Sequence, residues 1–198
     1  YGANTFEWEI TNGVCPSSTD QVVITAYENP TTAAAGDDQD VCGTTATLAG
    51  NTPSVGNGTW SLASGSGTIT NVNSPNSGVT SLGYGANTFE WEITNGVCPS
   101  SSDQVVITAY ENPTTSNAGS DQDVCGTTAT LAGNTPTVGN GTWSLEGGSG
   151  TITNVNSPNS GVTGLGYGAN TFEWEITNGN CPSSSDQVVI TAYENPTT

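Results

Sequence analysis

The 198-residue chain contains no lysine, arginine, histidine or methionine, against 18 aspartates and glutamates, for a formal net charge of −18. Each absence removes a class of chemistry. Without basic side chains there is no phosphate clamp and no electrostatic grip on nucleic acid, and an acidic surface repels both DNA and anionic membranes. Without His or Lys, the usual general bases and Schiff-base nucleophiles are missing. The carboxylates have no cationic side chain to pair with, so only counterions, Ca²⁺ or other chains can neutralise them. The acidity is also dilute. Charged residues make up 9% of the chain, where a typical domain has ~25%, so most of its polarity comes from Ser, Thr, Asn and Gly. No apolar run is long enough to span a bilayer, and no segment shows helical periodicity.

What is present argues for a folded, all-β chain. Disorder goes with few aromatics and few β-branched residues, whereas this chain has five Trp, six Tyr, three Phe and many Val, Ile and Thr. The whole is also a repeat with a period of 83 residues: the decapeptide at 1–10 returns unaltered at 84–93 and 167–176. Residues 33–115 and 116–198 differ at eight positions only, namely Ala33/Ser116, Ala34/Asn117, Asp37/Ser120, Ser54/Thr137, Ala63/Glu146, Ser64/Gly147, Ser81/Gly164 and Val97/Asn180. So strict a period marks an array rather than an enzyme. The chain reads as a stretch of a longer polymer. A unit of this size folds alone, with help from disulfides.

Within one copy, Phe6, Trp8 and Ile10 alternate with Thr5, Glu7, Glu9 and Thr11, which predicts a strand with one buried and one wet face. Asn12-Gly13 predicts a type I′ turn, in which both central residues take φ > 0, and a second strand follows at 21–27. In the full copy, further short strands are expected at 44–49 with Ala46 and Leu48 inward, at 59–62 with Trp60 and Leu62 inward, at 68–70 and at 79–82. By the same alternation Glu90 and Glu92 should be exposed. Six or seven short strands with turn signals between them predict an immunoglobulin-type β-sandwich. The segment Glu28-Asn29-Pro30-Thr31-Thr32 recurs at 111–115 and 194–198, and its proline ends a strand, so it is read as the linker. Three domains follow: 1–32 as the closing hairpin of a preceding copy, then 33–115 and 116–198, in an extended, semi-rigid array.

The strings Asp-Gln-Asp-Val-Cys-Gly-Thr-Thr-Ala-Thr-Leu-Ala-Gly-Asn-Thr-Pro (38–53), Gly-Thr-Trp-Ser-Leu, Gly-Ser-Gly-Thr-Ile-Thr-Asn and Asn-Thr-Phe-Glu-Trp-Glu-Ile-Thr-Asn-Gly together resemble the PKD-like, immunoglobulin-like tandem repeats of giant Bacteroidetes cell-surface proteins. The resemblance covers every full copy. It implies tandem sandwiches of a secreted or surface-anchored filament or adhesin stalk. The Trp-Asp-Phe-Gly-Asp-Gly motif of true PKD domains is missing, and the lack of Lys and Arg is unusual for such repeats.

The five cysteines point to an oxidising, extracellular compartment. Each full copy has one before its second strand (Cys42, Cys125) and one just after the Asn-Gly turn (Cys98, Cys181), with Cys15 in the partial copy. Pairing within a copy, Cys42–Cys98 and Cys125–Cys181, is the simple alternative. In a sandwich, however, these positions lie at opposite poles, about eight strand residues or ~25 Å apart, while a disulfide needs Cα atoms within ~7 Å. Head-to-tail stacking instead makes Cys42–Cys181 reachable, and that is the expected pairing, with the pairing within a copy and free thiols as the alternatives. Redox catalysis is not expected, because no Cys-x-x-Cys motif or basic neighbour is present.

Other motifs have plain readings. Glu7/Glu9, Glu90/Glu92 and Glu173/Glu175 are paired carboxylates of the kind a glycosidase uses, but nothing nearby would position a sugar, so they read as a solvated strand face. Asp37, Asp38 and Asp40, with Asp121 and Asp123, lie just past the linker, where oxygen ligands could suit junctional Ca²⁺. Their spacing does not match a calcium loop, and solvated turn residues are the preferred reading, with no cofactor. Asn57-Gly58-Thr59 and Asn140-Gly141-Thr142 fit the N-glycosylation sequon. The expected partners are further copies of the repeat and glycans, the latter stacking on exposed aromatics such as Tyr27 or Tyr84, with no nucleic acid and no membrane insertion. The expected role is structural and non-enzymatic, at the cell surface. A carbohydrate-binding array is the alternative.

Overall fold

A computed structural model describes residues 1–196. Its regular structure is all β. A hairpin of β1 (Gly2–Ile10) and β2 (Ser18–Ala26) precedes seven strands: β3 (Gln39–Cys42), β4 (Ala46–Thr47), β5 (Asn57–Ser64), β6 (Thr68–Ile69), β7 (Gly78–Thr80), β8 (Gly85–Thr94) and β9 (Ser101–Tyr110). Seven more follow at equivalent positions: β10 (Gln122–Cys125), β11 (Thr128–Thr130), β12 (Asn140–Gly147), β13 (Thr151–Ile152), β14 (Gly161–Thr163), β15 (Gly168–Thr177) and β16 (Ser184–Tyr193).

In the second copy, a sheet in the order β10-β16-β15-β12 faces a sheet in the order β11-β14-β13, and the first copy has the corresponding orders β3-β9-β8-β5 and β4-β7-β6. Within the second copy the strands pair antiparallel except β10 and β16, which run parallel. This is the immunoglobulin-like sandwich that the strand spacing predicts. The parallel start matters for the junction, because it carries the chain along β16 and leaves Cys125 beside Tyr193.

Binary patterning builds the core. Along β15, Asn170, Phe172, Trp174 and Ile176 are buried while the residues between them are half-buried. Phe172, Trp174 and Ile176 meet Trp143, Val162, Val188 and Ile190 from other strands, and Leu131 and Leu165 from just beyond β11 and β14. Trp143 and Trp174 are direct cross-strand partners, with ring centroids 5.0 Å apart and planes tilted by 37°. Their indole N–H groups donate to the carbonyls of Pro158 and Asn134, both at 3.2 Å, so neither polar edge is buried unpaired. The Trp174 ring lies so close over Gly141 that a Cβ there would sit 2.0 Å from it. Asn170 is a buried polar hub: it accepts from the Ser149 amide and donates to the carbonyls of Gly166, Gly168 and Ile190.

Four local expectations change. Glu90 and Glu92 are half-buried rather than exposed, and Glu90 accepts a hydrogen bond from the Gln104 amide at 2.9 Å on the neighbouring strand. Leu62 is 41% exposed rather than inward; it still pairs with Phe89 in register, on the outer strand β5 just before a bulge between Leu62 and Ser64. Only the glycine of the Asn-Gly pair is left-handed (φ 59° at Gly13), and the Cys15 amide donates to the Asn12 carbonyl, making Asn12 the first residue of the turn rather than a central one. The connection is too long for a type I′ hairpin, since β1 ends at Ile10 and β2 starts at Ser18. In the hairpin β1–β2, Phe6, Trp8 and Ile10 are 55%, 72% and 60% exposed, while their counterparts Phe89, Trp91 and Ile93 are fully buried. The alternation is the same, but only the latter three have an opposing sheet.

The chain packs as two compact units. One comprises Tyr1–Gln39, Ala46–Leu82 and Ala86–Ile107, and the other Asp40–Thr45, Gly83–Gly85 and Thr108–Thr198. The second unit takes in the end of the 33–115 repeat that carries Cys42 and Tyr110.

Candidate functional site: the repeat junction

Where one copy passes to the next, the same small set of residues meets twice, once within each compact unit. In the first unit, the Asn95 side-chain amide donates to the Glu28 carbonyl at 2.8 Å, and a Cβ on Gly96 would lie 2.3 Å from the Tyr27 ring. In the second, Asn178 donates to the Glu111 carbonyl at 2.8 Å and a Cβ on Gly179 would lie 2.1 Å from the Tyr110 ring. The tyrosine ending one copy's last strand thus lies flat against a glycine in the next copy's hairpin turn. Gly96 and Gly179 serve two needs here, positive φ (58° and 52°) and close approach of the ring.

The linker is fastened on its far side as well. Within the first unit, the Thr31 hydroxyl oxygen accepts from the Ser54 and Val55 amides, and the Ala35 amide donates to the Asp103 carboxylate at 2.8 Å. Thr114, Ala118 and Asp186 repeat these bonds in the second unit. The Pro-containing segment is therefore held by the copy that follows it.

Cys42 and Cys181 form a disulfide with Cα atoms 4.8 Å apart, within the second unit. It joins residues of different copies, 139 positions apart. Cys42 ends β3, the neighbour of β9 in its own sheet, and the Gly43 amide donates to the Tyr110 carbonyl at 2.8 Å. Cys181 lies against the same carbonyl at 3.5 Å. Beside the bond, the Asn180 side chain donates to the Asp40 carbonyl at 3.1 Å, so one of the few positions that vary between copies makes a contact here. Cys15, Cys98 and Cys125 are free thiols.

Two of the carboxylates considered for calcium cap backbone amides. Asp38 accepts from the Val106 amide at 2.8 Å and Asp121 from the Val189 amide at 2.9 Å. Asp40 contributes its carbonyl, as above, and Asp37 and Asp123 are exposed. Among the described residues no three His, Cys, Asp or Glu side chains group as a metal site. Asn57 and Asn140 line two equivalent open clefts of about 440 and 410 Å³, walled by Pro53, Pro75 and Trp91 in one and by Pro136, Pro158 and Trp174 in the other. Tyr84 is exposed, whereas one face of Tyr27 is taken by Gly96.

Sequence reasoning did not find the tyrosine–glycine contact, the Asn95 and Asn178 bonds or the Thr31 and Thr114 clasp. The glycine of an Asn-Gly turn is explained by the turn alone, and nothing in the residue string distinguishes a tyrosine that packs from one that faces solvent.

No family model and no curated protein matches the chain. Solved structures do resemble it. A three-immunoglobulin fragment of titin, I67–I69 in a Glu-to-Ala variant, aligns over 96% of this chain and 75% of its own length with a TM-score of 0.54 at 14% identity. The first four immunoglobulin domains of Sidekick-1 align over 90% of this chain and 55% of theirs, with a TM-score of 0.52 at 10% identity. A PKD domain aligns over 42% of this chain with a TM-score of 0.37 at 22% identity. At these identities the likeness is one of fold: tandem immunoglobulin-like sandwiches.

Proposed function

We propose that the chain is a structural, non-enzymatic stretch of an extracellular filament or adhesin stalk, of the kind the Bacteroidetes surface repeats exemplify, with 33–115 and 116–198 as its domains. The observation that carries this reading is the reuse of one junction. Tyr27, Glu28, Asn95 and Gly96 make in one place the contacts that Tyr110, Glu111, Asn178 and Gly179 make in the other. A junction that repeats with the sequence period specifies an array that can extend indefinitely, because every copy presents the same two ends. The acidic, uniformly anionic surface suits a fibre that must not stick to itself sideways. Transmission of load from copy to copy needs no cofactor, and further copies of the repeat are the partner. A disulfide fits an oxidising, extracellular setting. No helix among the described residues is long and apolar enough to cross a membrane.

The test is electron microscopy of tandem concatemers of the 83-residue repeat. A spacer array gives a string of evenly spaced beads whose length grows linearly with copy number. Copies collapsed on one another would sink the proposal.

A second reading is favoured by the twin clefts at Asn57 and Asn140. Two equivalent, uncharged, Asn- and Pro-lined depressions at a fixed period would suit weak, multivalent binding of neutral sugars. A glycan array separates the two: a spacer binds nothing selectively, whereas a lectin-like array retains one sugar class and loses it in Asn57→Ala/Asn140→Ala chains.

A further inference from the structure

We propose that Asn57 and Asn140 are the attachment points of a neutral N-linked glycan, one per copy, and that the first sugars of each glycan seat in the cleft beside their own asparagine. This deepens the extracellular-array reading and rests on it.

The sequon is selective in this chain. Asn, Ser and Thr abound, yet Asn57-Gly58-Thr59 and Asn140-Gly141-Thr142 are the only Asn-x-Ser/Thr strings without proline in the middle. The Asn-Pro-Thr strings at 29–31 and 112–114 have the spacing but not the chemistry, because proline bars them. Their hydroxyls, on Thr31 and Thr114, already fasten the linker.

The fold presents both sequons as acceptors. Asn57 opens β5 and Asn140 opens β12, each an outer strand of its sheet. Side chains alternate along a strand, so Asn57 and Thr59 share the outward face while Trp60 points into the core. Asn57, Thr59, Asn140 and Thr142 are all exposed. Asparagines elsewhere hold the structure: Asn51 and Asn134 donate to the linker backbone, Asn95 and Asn178 across the junction. The side chains of Asn57 and Asn140 hydrogen-bond to nothing among the described residues. Their neighbours also stand aside. A Cβ at Gly56 would lie 2.5 Å from the Thr94 carbonyl oxygen, and one at Gly58 2.0 Å from the Trp91 ring, so neither flanking position admits a side chain. Gly139 and Gly141 repeat this around Asn140, at 2.4 and 2.0 Å.

The cleft supplies the seat. At about 440 and 410 Å³ the two clefts fall within the ~300–1,000 Å³ of small-molecule sites. No charged side chain lines either one. Pro53 and Pro75 offer apolar walls to the C–H face of a sugar, and the side chains of Thr52 and Asn73 have no hydrogen-bond partner among the described residues. Trp91 is fully buried beneath Gly58, so it closes the floor without offering a face for stacking. Contacts of this kind are weak. A sugar tethered to a residue of the cleft wall is nevertheless held there by its effective concentration.

Attachment is a glycosyl transfer from a polyprenyl-diphosphate-linked oligosaccharide. Asn57 Nδ2 bonds to the anomeric carbon, and the bond from that carbon to the phosphate oxygen breaks. The diphosphate leaves with the electron pair, and the nitrogen gives up one proton.

The test secretes the 198-residue chain from a eukaryotic cell line, whose oligosaccharyltransferase reads Asn-x-Ser/Thr. Trypsin has no site in a chain without Lys or Arg, so a Glu-specific protease makes the digest for mass spectrometry. The expected result is a glycan on Asn57 and on Asn140 and none on Asn29 or Asn112. Thr59→Ala/Thr142→Ala loses both glycans at an unchanged melting temperature. Those threonines do not line the clefts, so the variant removes attachment and leaves the sugar-binding surface intact. In the glycosylated chain, amide hydrogen exchange slows at 52–58 and 71–76, and enzymatic release of the glycan restores it. Bare Asn57 and Asn140 in the secreted chain overturn the proposal. A glycan that leaves exchange at the cleft unchanged overturns the seating. The Cys42–Cys181 peptide in the same digest separates the two readings: bare asparagines in a bridged chain defeat only the glycan, while an unbridged chain defeats the stapled array.

Discussion

At the scale of single residues, the molecule turns on where glycine lets a ring approach. Gly141 lies directly beneath the Trp174 indole, with a would-be Cβ 2.0 Å from it, and Gly58 stands in the same relation to Trp91. Because interiors are close-packed, an added methyl must displace the ring. Gly141→Ala should therefore cost ~1–3 kcal/mol as an overpacked site. Trp174→Ala, which empties the core of a fully buried ring, should cost ~3–5 kcal/mol. Urea denaturation of each variant checks both numbers, and a neutral Gly141→Ala would mean the indole is not where the structure places it. At the junction, Asn178→Ala removes one hydrogen bond to the Glu111 carbonyl and should cost only ~0.5–1.5 kcal/mol.

At the scale of elements, the hairpin β1–β2 and its counterparts β8–β9 and β15–β16 share nearly the same residues and pairing, yet differ in burial. Trp8 is solvent-facing while Trp60, Trp91, Trp143 and Trp174 are enclosed. Acrylamide should accordingly quench about a fifth of the emission of the five tryptophans if their yields are comparable, and Trp8→Phe should remove that accessible fraction. Quenching that is uniform across the emission would contradict the packing. The strand alternation was readable because period-2 patterning is local: Phe89, Trp91 and Ile93 declare their face through their neighbours. What escaped sequence reading was set by partners distant in the chain. The half-burial of Glu90 depends on Gln104 across the sheet, and the tyrosine–glycine junction on contacts between Tyr110 and a residue of the next copy. The parallel first strand was equally hidden, since a four-residue segment such as β10 carries no mark of its direction.

At the scale of the whole molecule, every charged side chain has the same sign. Screening can then only relieve repulsion, so the melting temperature should rise with NaCl as the Debye length shortens from ~10 Å at 0.1 M to ~3 Å at 1 M. A fall on adding salt would reveal attractive pairs that the composition forbids. Reducing the Cys42–Cys181 bridge, which closes a loop of 139 residues in sequence separation, should lower stability by ~2–5 kcal/mol. The central claim is that neighbouring copies are stapled to each other rather than each closed on itself. Single-molecule stretching of the chain between its ends addresses this most directly, with and without reductant. An intact Cys42–Cys181 bond withholds from extension the chain between two residues 139 positions apart; reduction should release it as one increment of roughly 450–500 Å at ~3.3–3.6 Å per residue. Two smaller equal increments would show that each copy is closed on itself, and no redox-dependent increment would show that the staple does not form.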